Sequence, residues 1–233
     1  MDAKLRGRLH GFRLVLTGRP GLAGRVLLFA LLGFAAGDLP VLVHGAQTSW
    51  VWSCCSAIAC GAARYAAAAW RLHRCVRGTM LFCIVVTSAG TALDFSRVPP
   101  EAILYLCGAG QSAGFGWDQL LGHLRWFPVT MMAMLALIVF RRGGVPRGAR
   151  RGRTGAALLA ALRIALEFGA MSVLMALGMS AMEKLALGLG VPWVANGMVC
   201  AMLTGMLAFL LLSNWVAETL ALGAARARAL RSG

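Results

Sequence analysis

The sequence predicts an all-α protein: a polytopic transmembrane helix bundle of about six spans with both termini on the cytoplasmic side. Three observations predict it. The 233 residues are 59% hydrophobic and only 13% charged, with mean hydropathy +0.74, whereas soluble domains are about 45–50% apolar and about 25% charged. Apolar runs near the ~20 residues that cross ~30 Å of hydrocarbon recur along the chain. The basic residues fall in blocks beside those runs, Lys4 to Arg25, Arg71 to Arg77, Arg141 to Arg153 and Arg226 to Arg231. That is the positive-inside pattern of a membrane protein.

Residues 1–25 read as a basic cytoplasmic arm in which 10–17 suits a short interfacial helix. No small-residue cleavage site follows a short apolar core there, so the arm does not read as a cleavable signal. Residues 26–140 form a first membrane part of about four spans. The first span is 26–44, with Asp38 and Pro40 in its outer third and a kink expected at Pro40. A tight turn leads to the second, 50–70, rich in small residues that let helix backbones approach closely in lipid. Arg64 near its inner end is expected to snorkel to the interface. The third span, 80–95, ends at Asp94, Arg97, Pro99 and Pro100. In the outer glycine-rich segment 96–118, residues 101–116 give only a short apolar stretch, Ala102 to Cys107, and a glycine-rich tract to Gly116, too short to cross, and read as an outer-face or re-entrant piece. The fourth span is 119–140, kinked at Pro128. A basic loop, 141–154, precedes the fifth span at 155–182. A short outer turn, Glu183 to Pro192, then leads to the sixth. The fifth and sixth spans occupy 155–217, and 218–233 is a basic cytoplasmic tail.

On these boundaries eighteen of the 23 Lys and Arg residues fall on the inside and three outside, Arg97, Arg125 and Lys184, with Arg64 and Arg163 within spans. Such a bias sets the orientation expected in a cell inner membrane and favours contact with anionic lipid headgroups. No aromatic-basic face accompanies the net charge of +15, so nucleic acid is not an expected partner. The seven cysteines form no C-x-x-C pair and read as small hydrophobes rather than a disulfide framework. Trp50, Trp52, Trp70, Trp117, Trp126 and Trp193 sit near span ends, as an aromatic belt predicts.

Methionine is placed unevenly: ten of the twelve lie in the last three spans. At 100° per residue, Met171, Met175, Met179 and Met182 fall within about 80° of arc, and so do Met198, Met202 and Met206. His123 and Met134 share a face of the fourth span, with Met131 about 80° away. Thioethers favour Cu(I) over hard cations. The M-x-x-x-M spacing resembles that of eukaryotic copper transporters, over these few residues only; that family has three spans. The competing reading is that methionine fills irregular gaps between helices.

Charged residues within spans include Asp38, Arg163 and Glu167. Intramembrane charge marks function by default. Arg163 and Glu167 are i, i+4 and predict a structural ion pair. The other outer-face acids and histidines, Asp94 among them, read either as a cation entry or as wetted groups balancing nearby bases. Gly110-Gln111-Ser112-Ala113-Gly114 matches G-x-S-x-G, but no histidine follows His123. Hydrolytic chemistry is therefore not expected, and the glycines read as a turn.

The expected function is the handling or transport of a small solute or soft metal ion, copper first, through a methionine-lined bundle. The metal-facing residues would be Met171, Met175, Met179, Met198, Met202, Met206, Met131, Met134 and His123. The alternative is a non-catalytic membrane subunit or assembly factor whose methionine and small-residue faces meet partner helices or a second copy.

Overall fold

The computed structural model describes residues 21–70, 72, 74–108, 117–141 and 154–232. Among them are eight α-helices and no strand: α1 Leu22–Leu42, α2 Trp50–Ala69, α3 Arg74–Phe95, α4 Pro100–Gly108, α5 Trp117–Trp126, α6 Pro128–Arg141, α7 Thr154–Leu189 and α8 Ala195–Ser232. The 10–17 segment, Ser112 with its glycines, and 142–153 of the basic loop lie outside the described residues.

Four stretches are long and apolar enough to cross a membrane: Leu22–Leu42, Gly78–Phe95, Leu158–Leu189 and Ala195–Leu220. They make this an all-helical membrane protein. The 20 residues of α2 have the length, ~30 Å, but they are alanine-rich and carry Arg64. The 14 residues of α6 reach only ~21 Å.

Specific contacts set the direction of each helix. Asp38 near the end of α1, Ser53 near the start of α2 and Asn196 near the start of α8 are hydrogen-bonded together. Asp94, ending α3, bonds the start of α6. At the other end, Arg141 closing α6 donates to Ser213 of α8 at 2.8 Å, and Trp70 after α2 stacks obliquely on Trp215. The long helices therefore alternate in direction. Arg141 lies at one end of the bundle, and Asp38 and Asp94 lie at the other.

Helix α8 is the hub. It packs against α1, α2, α3, α4 and α7, and 83% of its apolar stretch is buried within the bundle, against 17% for α7. Glycines permit the closest approaches. A β-carbon on Gly33 would fall 2.6 Å from both Cys60 Sγ and the Ser56 carbonyl, and one on Gly37 2.7 Å from Ser56 Oγ. The small-xxx-small face of α1 is thus filled by α2. Gly205 of α8 faces the backbone of α7, where a β-carbon would meet Leu174 O and Met175 Cα at 2.7 Å. Gly45 and Gly190 have φ of +67° and +66°, a left-handed conformation that glycine adopts without penalty. They end α1 and α7 at the same side of the bundle. After Gly190 the Val191 amide reaches back to the Ala186 carbonyl at 2.9 Å, a helix-terminating bond of the Schellman type.

Several sequence expectations change. The fourth span is not one kinked helix. It breaks at Phe127, and Pro128, which has no amide hydrogen, starts a new helix where that donor would be unused anyway. Helix α7 runs past the expected turn at Glu183 to Leu189 and stops where Gly190 takes a left-handed φ of +66°. Helix α8 continues through the expected tail to Ser232. Arg64 is enclosed, only 1% exposed, since the bundle closes around it before its side chain reaches an interface. Trp52 is buried against Gly197 and donates to the Pro192 carbonyl at 3.0 Å, so it locks two helices instead of joining an aromatic belt.

Gly205→Ala forces a β-carbon into the α7 backbone and is expected to destabilise the protein by roughly 1–3 kcal/mol. Gly188→Ala meets nothing within 4 Å and is expected to be neutral or stabilising by up to ~1 kcal/mol. Thermal unfolding of the detergent-purified variants reads both signs; equal shifts would mean that the α7–α8 approach is not a close one.

Candidate functional site

Two polar clusters close one end of the bundle, and a sulfur-rich interior lies behind them. In the first cluster, Asp38 Oδ1 accepts from Ser53 Oγ at 2.7 Å and from Asn196 Nδ2 at 2.9 Å. The Asn196 amide also pairs with the peptide of Ser49, donating to its carbonyl at 2.8 Å and accepting from its amide at 3.2 Å. These partners fix which way the amide points, since only one orientation satisfies both. Asn196 is fully buried, where each polar atom needs such a partner. Two residues beyond the end of α1, His44 Nδ1 lies 2.9 Å from the Pro40 carbonyl. A carbonyl only accepts, so that bond puts a proton on Nδ1.

In the second cluster Asp94 is fully buried, contrary to its reading as a wetted edge residue. Its Oδ1 accepts from the Val129 amide at 2.9 Å. Its Oδ2 accepts from the Thr130 amide at 2.9 Å and from Thr130 Oγ1 at 2.7 Å. Phe127, at the position before α6, has no side-chain acceptor to cap a helix. Asp94 does that work from α3, and its charge suits the positive end of the α6 dipole. Gly90 lets the two helices meet, because a β-carbon there would lie 3.1 Å from Thr130 Cα. Phe95 and Phe127 pack beside this cap, and His44 meets Phe95 edge-on.

The interior is rich in thioethers. Met131 and Met134 of α6, Met171, Met175 and Met179 of α7, and Met198, Met202 and Met206 of α8 are all buried and belong to one core cluster. Met80 of α3, which carried no helical stripe to mark it, joins them. Met182 is half-buried against the same core, and Met132 faces outward. Thr87 Oγ1 lies 3.2 Å from Met206 Sδ and 2.7 Å from the Cys83 carbonyl, so its single proton can serve either acceptor. Three cysteines are also fully buried, Cys60, Cys83 and Cys200. Ser56 Oγ, buried one turn before Cys60, has no hydrogen-bond partner by distance and angle among the described residues.

Two other sequence candidates, Arg163 and Glu167, do not join this core. Arg163 is exposed and Glu167 half-buried, both on the first half of α7. His123 lies on α5, before the break that precedes α6; its side chain lies outside the described residues. Among the described residues, no three His, Cys, Asp or Glu side chains are close enough together to hold a metal ion. Sulfur is therefore the only clustered soft donor described. Sequence reasoning passed over Ser53, Asn196 and Thr130. Each is an ordinary polar residue near a helix start, and only its distant partner gives it meaning.

The fold and core define a helical membrane protein with many methionines in its packed core. No family model, no curated protein and no solved structure matches the chain.

Removing the Asp94 carboxylate leaves buried amides without acceptors. Asp94→Ala is expected to cost ~2 kcal/mol or more, while Asp94→Asn keeps one acceptor oxygen and costs less. Denaturant or thermal unfolding in detergent orders the two; an Asn variant as damaged as the Ala variant would mean that charge, not hydrogen bonding, dominates.

Proposed function

We propose that this protein crosses the inner membrane about six times, with both termini in the cytoplasm, and handles or transports a soft metal ion, Cu(I) first. The observation that carries the reading is the convergence of eight buried methionines from α6, α7 and α8 in one core cluster. A thioether is uncharged, so a monovalent soft cation gains donors there without meeting a competing proton. The alternating helix directions support the six crossings, and the position of Arg141 opposite Asp38 and Asp94 supports the orientation. The short α6 crosses as the inner part of an interrupted helix, a device found where transporters line a cavity with backbone. Anionic headgroups would neutralise the basic end.

A second reading is a non-catalytic membrane subunit or assembly factor. What favours it is the exposed leucine ridge of α7, with Leu158, Leu159, Leu162 and Leu166 all more than half exposed. On that reading the ridge meets a partner helix or a second copy, and methionine is packing alone.

Met175→Leu with Met202→Leu conserves volume, costing less than ~1.5 kcal/mol per site, and removes two sulfurs. Uptake of Cu(I) or Ag(I) into proteoliposomes is expected to fall at least tenfold. Uptake unchanged from the parent protein would leave the methionines as packing and favour the subunit reading.

A further inference from the structure

Three oxygens from α1 and the start of α2 converge on one point of the Asp38 cluster. The Asn196 amide nitrogen occupies that point. It lies 2.8 Å from the Ser49 carbonyl, 2.9 Å from Asp38 Oδ1 and 3.2 Å from Ser53 Oγ. Nδ2 can only donate, so each of these oxygens offers it a lone pair. The amide nitrogen thus fills an oxygen cage in the way a small cation would. Asp38 supplies the charge of the cage, and its hydrogen-bond partners among the described residues, Ser53 and Asn196, are both neutral. The helix starts of α2 and α8 offset part of that charge. One turn deeper on the Ser53 face of α2, Ser56 Oγ is fully buried and has no hydrogen-bond partner by distance and angle among the described residues. It lies against Gly37, the neighbour of Asp38, where an added β-carbon would come within 2.7 Å of the hydroxyl. A buried hydroxyl left unbonded is costly, and an ion in the cage, or its water, would give this one a partner.

We propose that the cage is a site for an alkali-metal cation, for which the Asn196 amide stands in. Its donor set sorts the ions. Oxygen donors suit hard cations rather than Cu(I), so the site does not depend on the soft-metal reading above and adds a second ion to the molecule. One carboxylate matches one positive charge, whereas a calcium site gathers about six to eight oxygens, several of them from carboxylates. An entering ion displaces Nδ2 and is held by the Asp38 carboxylate, the Ser49 carbonyl and Ser53 Oγ. Asn196 Oδ1 keeps the bond it accepts from the Ser49 amide. Asp38 is half-buried and Asn196 fully buried, so the carboxylate is the member an ion meets first. No proton or electron moves in this exchange. The bound ion joins α1 to the start of α2 by charge, where the amide joins them by hydrogen bonds alone, and so it stabilises this end of the bundle.

Thermal unfolding of the parent protein in detergent tests the site. The salts are NaCl, KCl and N-methylglucamine chloride at one ionic strength, the last with a cation too large for the cage. The midpoint is expected to be at least ~3 °C higher in one of the alkali chlorides than in the organic salt, and the larger of the two shifts identifies the preferred ion. Asp38→Asn removes the charge but keeps an oxygen acceptor, and is expected to abolish the shift. Asn196→Ala is expected to enlarge the shift, because the amide no longer competes for the cage, even though this variant starts from a lower midpoint. A purely structural Asn196 would not enlarge it. Equal midpoints for the parent protein in all three salts would overturn the site and leave the methionine reading untouched; a shift that survives in Asp38→Asn would overturn it as well. The first measurement is on the unmodified chain, so it does not depend on any variant folding.

Discussion

An amide hydrogen out of reach of water must find an acceptor inside the protein, and the interruption between α5 and α6 makes that requirement acute. Breaking a helix at Phe127 frees the first amides of the next one. Pro128 removes one of them, and Asp94 takes the following two together with the Thr130 hydroxyl. A fully buried carboxylate is costly unless each oxygen is bonded. The charge on α3 and the break before α6 therefore depend on each other. Gly90 is the geometric condition for the arrangement, since any side chain there would hold α3 away from Thr130.

The Asp38 cluster applies the same rule at a second place. Three helix ends meet there, and Asn196 satisfies the Ser49 peptide before α2 with a side-chain amide that both donates and accepts. The paired glycine turns at Gly45 and Gly190 bring α2 and α8 back into the bundle at that level. This end of the molecule is held by directional bonds, and the interior by shape. Methionine suits such an interior because its unbranched thioether bends into irregular gaps, while Gly178 and Gly205 let α7 and α8 approach almost to backbone contact.

How much of this was legible depended on the range of the interaction. The thioether stripes on α7 and α8 could be read from residues one turn apart, and their burial follows the periodicity. The break at Phe127 was half visible: Pro128 marked a disturbance, but the acceptor that turns a kink into a new helix lies 34 residues earlier. Asp94 looked like an edge residue because Pro99 and Pro100 follow it closely. Arg64 looked free to reach an interface because nothing local says that α8 and α1 close over α2. Trp52 was assigned to an aromatic belt for want of its partner, Pro192, 140 residues away. The end of α7 was placed too early because Glu183 and Lys184 resemble a polar turn, although a helix tolerates them until Gly190.

The sequence by itself determined that the chain is helical and bound for a membrane. Apolar run length and residue periodicity are local properties, fully present in consecutive residues. Only the tertiary structure decided which polar residues are satisfied inside the bundle. It also decided which helix became the hub and which sulfurs share one core. Those outcomes depend on groups far apart in sequence meeting in a medium where an unpaired donor or charge carries a cost of several kcal/mol.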